Sequence, residues 1–572
     1  MTKPVAARRS LTVLAATLVV AALTLLTAPS AQAAVYIVTR FDDPAPGGCD
    51  PNDCSLREAI LAANATLGVP DTINLAAGTY TLTIPGTGED GAADGDLDVT
   101  NDPLTIIGQG PDPTVIDGGG AATGERVFEI FSALDLSGAT VRNSQDEFGA
   151  GIYGNGPASS VTLTKVFVTG HVSTGPACCG SGVWTEGTAS LADVTSSGNQ
   201  AGAACCAGIA HYHGGGNSGP FTGRNLVVVD NSDTTGCCSG LFLGPQGALS
   251  LENFVVSGNH SSGSCCTGLY LDDGPGPTSV RNGTVSMNQA DGDCCAGLTN
   301  DGRSTTIANV TVTQNRTIDC CAGITHDGEA GQTLTLNNVT VTGNRANADD
   351  TGVGEDGGGI SEISGEPLQL RNTISFGNTV GTGGLGPDCF GTLTSQGYNL
   401  IGSTAGCTIT GDTTGNLIGQ DPMLGPLSDN GGFSPTHALL KGSPAIDAGS
   451  PAAPGSGGSA CEATDARGLV RNCDMGAYEL TLCQKVAVNR IGTSGKDSLR
   501  GTSGPDGILG FGGKDTLRGK GGKDGLCGGP GKDLLKGGAG KDRLNGGPGK
   551  DKCVGGPGRD KARACEKTKT IP

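Results

Sequence analysis

The sequence predicts an all-β chain: a long stack of coils followed by a tail of much shorter ones. Three observations carry this. The doublet Cys-Cys occurs six times within 178–321, at steps of 27, 32, 28, 29 and 26 residues. Each unit then closes on an apolar alternating run and an Asn, as in 249–259 and 334–344. A period of this length enclosing period-2 alternation marks stacked coils. In the tail, Asp recurs every ninth residue from Asp497 to Asp560 without exception.

Composition agrees. The 572 residues include 101 Gly, with 3% aromatics and one Trp. That suits tight turns and thin strands, and argues against a broad aromatic-lined ligand site. Gly does not recur at every third position, which excludes a collagen-like chain. Residues 1–33 read as an export signal: Arg8 and Arg9, an apolar run over 11–26, then a small-x-small site at Ala31 and Ala33. The run is short for a membrane span and has no later partner, so no transmembrane segment is expected in the mature chain. Twenty-two cysteines in an exported protein make disulfides the default. The net charge of −20 hides a split: from Lys485 onward 19 Lys/Arg face 9 Asp/Glu, about +10, which leaves the rest near −30. An acidic body of that size disfavours nucleic acid as a partner.

Taken in order, residues 35–39 alternate like a short strand, and Cys49 and Cys54 flank a turn small enough to close by a local disulfide. Ser55 and Glu58 form a capping box, after which Leu56, Ala59, Ile60 and Ala63 share one helical face. A short amphipathic helix of this kind serves to lid a first coil. The run Cys54-Ser55-Leu56-Arg57-Glu58-Ala59 resembles the signature that opens a group of exported bacterial right-handed parallel β-helix proteins. The resemblance implies that fold, a pectate-lyase-like solenoid, for the coils that begin near Asp71. The regular stack runs from about 139 to 378. Its Asn column is Asn199, Asn231, Asn259, Asn288, Asn315, Asn344 and Asn378, expected to serve sharp corners and amide hydrogen bonds along the ladder.

The doublets are Cys178/Cys179, Cys205/Cys206, Cys237/Cys238, Cys265/Cys266, Cys294/Cys295 and Cys320/Cys321. The equivalent family position commonly reads Gly-Gly-Gly-Ile, and this chain has that form at Gly357, Gly358, Gly359 and Ile360. Neighbouring strand residues point to opposite faces, so each doublet sends one sulfur to each side. Rungs about 4.7–4.9 Å apart fall within the Cα separation a disulfide accepts, so coil-to-coil bridges are open to both columns. A soft-metal ladder and a bridge within each doublet are the rival readings; oxidising export disfavours the first and ring strain the second. The first doublet is followed by one extra residue, which leaves its register undefined.

Cys389 and Cys407 are expected to pair across an irregular run, and Cys461 and Cys473 form a further local candidate pair. Next come Asp429-Asn430-Gly431-Gly432, the stretch 442–449, Asp465/Arg467 and Asp474/Tyr478/Glu479. This stretch resembles the choice-of-anchor segment that ends such β-helices, and its charged residues read as a buried polar cap on the last coil.

The tail carries Asp497, Asp506, Asp515, Asp524, Asp533, Asp542, Asp551 and Asp560, with an apolar or small residue two places after each. Residues 528–536 and 537–545 fit Gly-Gly-x-Gly-x-Asp-x-apolar-x. The pattern resembles the RTX (hemolysin-type) calcium-binding β-roll repeat of exported bacterial proteins. It implies that these eight carboxylates, with carbonyls from the Gly turns, supply the hard oxygen ligands Ca²⁺ requires. One departure stands out: Lys or Arg precedes seven of the eight Asp, where it can lower cation affinity or pair with the carboxylate itself. Cys483, Cys527, Cys553 and Cys565 are expected to staple this tail, in no defined pairing.

Catalysis has weaker candidates. Asp272, Asp273, Asp301, His326 and Asp327 fall at similar coil positions, and His211 with His213 has a metal-pair spacing that also suits a turn. No catalytic residue is assigned. The division expected is 1–33 signal, 34–70 strand and capping helix, 71–420 β-helix, 421–482 anchor-like cap and 483–572 calcium-binding roll. The function expected is that of a secreted or cell-surface structural or adhesive protein that meets anionic cell-surface or matrix polysaccharide. The alternative is a secreted polysaccharide lyase or glycoside hydrolase of the same fold.

Overall fold

The computed structural model describes residues 32–571, except 87, 89, 147–148, 176–179, 204–205, 213–216, 236–238, 263–266, 293–294, 320 and 351–356. The body is a parallel β-solenoid of 38 paired strands, and two small sheets of six and five strands make the C-terminal roll. One coil shows the plan: a long strand Leu249–Ser257, a short strand His260–Ser261 and a three-residue strand Leu269–Leu271. Each pairs in parallel with its equivalents one coil before and after. Leu249 lies between Phe221 and Thr278, His260 between Ser232 and Gln289, and Leu269 between Leu241 and Leu298. Positions roughly thirty residues apart are therefore rungs. Leu241, Leu269, Leu298 and Ile324 stack as one fully buried column, so the core is a file of like on like.

The Asn column is a continuous hydrogen-bonded ladder. The amide and the Nδ2 of Asn259 both donate to Oδ1 of Asn288, at 3.1 and 2.9 Å, and the pattern repeats from Asn199 through Asn378. His171 leads into the ladder through its amide, and Asp388 ends it by accepting from Asn378. The left-handed corner is not at these Asn. It sits one residue earlier, at Gly198, Asp230, Gly258, Met287, Gln314, Gly343 and Gly377. The Asn side chains are selected for bonding down the stack, and the corner falls to their neighbours. A second left-handed file, Asn225, Asn253, Asn282, Asn309, Asn338 and Asn372, bends the long strands in mid-course.

At the N-terminal end, Ser55 caps the helix Leu56–Ala65 with a full capping box, and the helix packs on strands Asp71–Asn74 and Leu97–Val99. Arg57 points inward and is fully buried. It pairs with Asp43 at 2.8 Å and donates to the carbonyls of Ala92, Gly95 and Asp96. Cys49 and Cys54 are joined beside it.

The segment after the stack packs its Leu439, Met475 and Tyr478 in one cluster with Ile374 and Leu400 of the late coils. It runs back along the flank, over the second left-handed file. Thr464 O accepts from Asn309, Asp474 O and Gly476 O from Asn338, and Ser459 O from Asn372. The donors are the Asn side-chain amides, and those of Asn309 and Asn372 also donate within the stack, to Asn282 and Asn337. Its own interior is the Asp465–Arg467 pair, fully buried, with the guanidinium 3.8 Å from the centre of the Tyr478 ring. Disulfides join Cys389 to Cys407 and Cys461 to Cys473.

Most doublet cysteines (Cys178, Cys179, Cys205, Cys237, Cys238, Cys265, Cys266, Cys294 and Cys320) lie outside the described residues. Of the other three, Cys206, Cys295 and Cys321, the first is not joined in a disulfide. The ladder requires extended strand with faces that alternate from one residue to the next. These cysteines instead precede the short strands Ile209–His211, Leu298–Asp301 and Ile324–Asp327. Cys321 itself has left-handed backbone, with φ 72°. In such a turn the strand rule for side-chain direction no longer holds. Cys206 also bridges in register to Gly180, so the extra residue after the first doublet shifts it by one place and sets a glycine, not a cysteine, beside Cys206.

Candidate metal centre

In the roll each nonapeptide is a glycine-rich turn plus a short strand, and successive strands go to opposite sheets. Ser498–Arg500, Thr516–Gly522, Leu534–Gly540 and Lys552–Val554 lie in one sheet; Gly507–Leu509, Gly525–Cys527, Arg543–Asn545 and Lys561–Arg563 lie in the other. The true repeat is eighteen residues: Leu499 pairs with Leu517, Leu517 with Leu535 and Leu535 with Cys553. The second residue of each strand points inward, and Ile508, Leu517, Leu526, Leu535, Leu544 and Cys553 fill the space between the sheets. Disulfides join Cys483 to Cys527 and Cys553 to Cys565.

This divides the eight Asp into two edge columns, Asp497/Asp515/Asp533/Asp551 and Asp506/Asp524/Asp542/Asp560. From Asp506 onward they are buried. Within a column each Asp amide donates to Oδ1 of the Asp one turn on, at 2.8–3.0 Å. Glu566 takes the place of a ninth Asp by accepting from the Asp551 amide. Oδ2 has a different fate. In Asp515, Asp524, Asp533, Asp542, Asp551 and Asp560 it is buried without a hydrogen bond. It packs instead against the first Gly of its own turn: a Cβ on Gly519 would stand 2.1 Å from Asp524 Oδ2, and one on Gly537 would stand 2.4 Å from Asp542 Oδ2.

A buried carboxylate oxygen with no donor is costly while ionised. Burial pushes the Asp524 carboxyl up to about 6, with the neighbouring Asp542 and Asp506 adding to the effect. Burial likewise raises Asp515, Asp533, Asp542 and Asp551. The donor set is hard oxygen, periodic and anionic, so these residues fit Ca²⁺. The cations that precede the buried Asp residues from Asp515 onward do not fill the role: Lys514, Lys523, Lys532, Lys541, Lys550 and Arg559 are exposed. Among the described residues none of them forms an ion pair with a roll Asp.

Among the described residues, the catalytic candidates of the body do not assemble into an acid–base pair. His211 and His326 share one column, separated by Leu243, Leu271 and Asn300. His211 is buried with one ring nitrogen at Thr185 and the other at the Gly219 carbonyl, and burial lowers it to about 4. His213 lies outside the described residues. His326 is fully buried beside Asn300. Asp301 pairs in register with the exposed Asp327 and accepts from the Tyr270 hydroxyl. Asp272 is raised to about 6, chiefly by burial.

Sequence reasoning missed a second group of carboxylates. Asp96, Asp98 and Glu129 converge within 4.8 Å, and Arg126 pairs with Asp96, Glu129 and Asp146. The clustered acids at Asp94, Asp96 and Asp98 were the available signal; Glu129 joins them only because strand Phe128–Ile130 pairs with Leu97–Val99.

Residues 491–526 and 528–562 match the family model of the RTX calcium-binding nonapeptide repeat (4 copies). The chain is also similar to a solved structure described as that of the PL6 family alginate lyase AlyGC. That likeness covers 88% of this chain and 70% of that one, at 11% identity and a TM-score of 0.31. Among curated proteins nothing matches. RTX repeats are typical of secreted proteins. No helix among the described residues is long and apolar enough to cross a membrane.

Proposed function

We propose that this is an exported β-helix rod of structural or adhesive function, held at the cell surface or in the matrix, whose roll binds Ca²⁺. One observation carries the reading: two buried columns of Asp in which six carboxylates keep an oxygen without a hydrogen bond. Asp515, Asp524, Asp533, Asp542, Asp551 and Asp560 would hold the ion, which supplies the positive charge these carboxylates lack.

The exposed cations support the adhesive part. Lys514, Lys532 and Lys550 rise along one edge of the roll, and Lys523, Lys541 and Arg559 along the other, one per turn. Turns about 4.7–4.9 Å apart make each row a dense line of positive charge, suited to the carboxylates or sulfates of an anionic polysaccharide. The test is co-sedimentation of the full chain with an insoluble polyuronate gel and with a neutral glucan gel, in calcium and in chelator. Retention on the acidic gel alone, lost at high salt, is expected. Equal behaviour on both gels would overturn the adhesive reading.

A further inference from the structure

The eight repeats are not equivalent, and the difference lies at one turn position. The residue after the first Gly of each turn is Thr493, Thr502, Phe511, Lys520, Gly529, Gly538, Gly547 and Gly556 in order. The last six are left-handed, with φ from 64° at Phe511 to 114° at Gly556. The two threonines are not; they keep the ordinary negative φ of an L-residue. With that change the Thr493 amide and hydroxyl both donate to Asp497 Oδ2, at 2.6 and 3.0 Å, and Thr502 does the same to Asp506 Oδ2 at 2.6 and 3.0 Å. The other Asp506 oxygen accepts from Asn489 Nδ2 at 3.0 Å. The two carboxylates whose Oδ2 accepts hydrogen bonds inside the protein are therefore those of the threonine repeats. The six with an unbonded oxygen are those of the left-handed repeats.

We infer that the roll has a metal-independent first turn, closed by Thr493 and Thr502, on which the calcium-dependent turns are built. This rests on the calcium reading of the other six repeats. A carboxylate oxygen that already accepts two hydrogen bonds would have to give up at least one of them to meet a cation, and the negative-φ threonine backbone presents a different turn to it. The first turn also has its own anchorage on the body: Arg467 donates to Val488 O at 2.9 Å, and Arg490 donates to Asp429 O at 3.0 Å. It stands ready as a template, so calcium has only to order the turns beyond it.

Two measurements on the full chain test this. The first is calcium stoichiometry by equilibrium dialysis for the wild type, Asp506→Asn and Asp524→Asn. The second is hydrogen exchange in chelator, with peptides from 486–510 compared with peptides from 515–562. Asp524→Asn should lose bound calcium while Asp506→Asn retains the wild-type amount, and in chelator only 486–510 should stay protected. Thr502→Gly, which frees the Asp506 carboxylate, should raise calcium uptake above wild type. Equal loss in Asp506→Asn and Asp524→Asn, or equal exchange of both halves in chelator, would overturn the inference and leave the calcium reading standing. A wild type that takes up no calcium would instead remove the calcium reading on which the inference rests.

Discussion

The main-chain amide of Asp524 donates to Oδ1 of Asp542 at 3.0 Å, one full turn further along the roll. From Asp515 onward each carboxylate is thus half committed to holding the preceding turn in register, and the other oxygen is left for a proton or a cation.

The cation-free roll should be more stable in mild acid than at neutral pH. A carboxyl whose folded-state pKa is raised binds more protons folded than unfolded, so stability rises as pH falls through that pKa. For Asp524 the window lies between about 6 and the ordinary value near 3.8. In chelator, exchange protection of 515–562 should therefore be greater at pH 5 than at pH 7.5. Calcium should invert the order, because protons compete for the same oxygens. Greater protection at pH 7.5 in chelator would contradict the assignment.

Phe511→Gly and Lys520→Gly should stabilise the roll. Both residues hold left-handed backbone, φ 64° and 78°, where later repeats have glycine. Relief of such strain is worth about 1 kcal/mol, and Phe511 is exposed, so its loss removes little packing. For a unit the size of the roll this is a rise of about 4–8 °C in melting temperature by calorimetry. A fall in melting temperature would show that the side chains matter more than the backbone.

Asn288→Ala should damage the body. The Asn288 side chain accepts from the amide and Nδ2 of Asn259 and donates to Asn315 Oδ1 and Val256 O. Truncation strands several buried groups, at about 1–3 kcal/mol each. Denaturant unfolding should show a loss of at least about 3 kcal/mol, centred by hydrogen exchange on 250–320. A loss under about 1 kcal/mol would mean that the ladder is ornamental to stability.

Arg57→Ala should open the N-terminal end. It leaves the buried Asp43 carboxylate without its cation, and three carbonyls lose their donor. Breaking such a pair costs about 3–5 kcal/mol. Proteolysis in 35–70 should precede that of the coils, and resistance equal to wild type would count against Arg57 as the core of the lid.

Much of this was legible in the chain. The 26–32-residue period announced the rungs, the capping box placed the helix, and the ninefold Asp spacing announced the roll. These are local patterns repeated at fixed intervals, and stacking makes such patterns additive. The direction of the segment after the stack was not legible. It depends on contacts with the side chains of Asn309 and Asn338 in the second left-handed file, which lie more than a hundred residues away in sequence. Nor was the setting of Cys295 and Cys321. Their recurrence marks equivalent coil positions, but whether such a position is strand or turn depends on backbone angles that spacing does not report.

By itself, the sequence determined that the chain stacks, where it changes from long coils to short ones, and which carboxylates could face a cation. The tertiary structure alone decided that the roll repeats every eighteen residues, in two columns of Asp. It also decided that Thr493 and Thr502 close two carboxylates whose spacing matches the other six. The reason is physical: spacing sets which residues meet, whereas the sign of one φ angle and the reach of one hydroxyl set whether an oxygen is already spoken for.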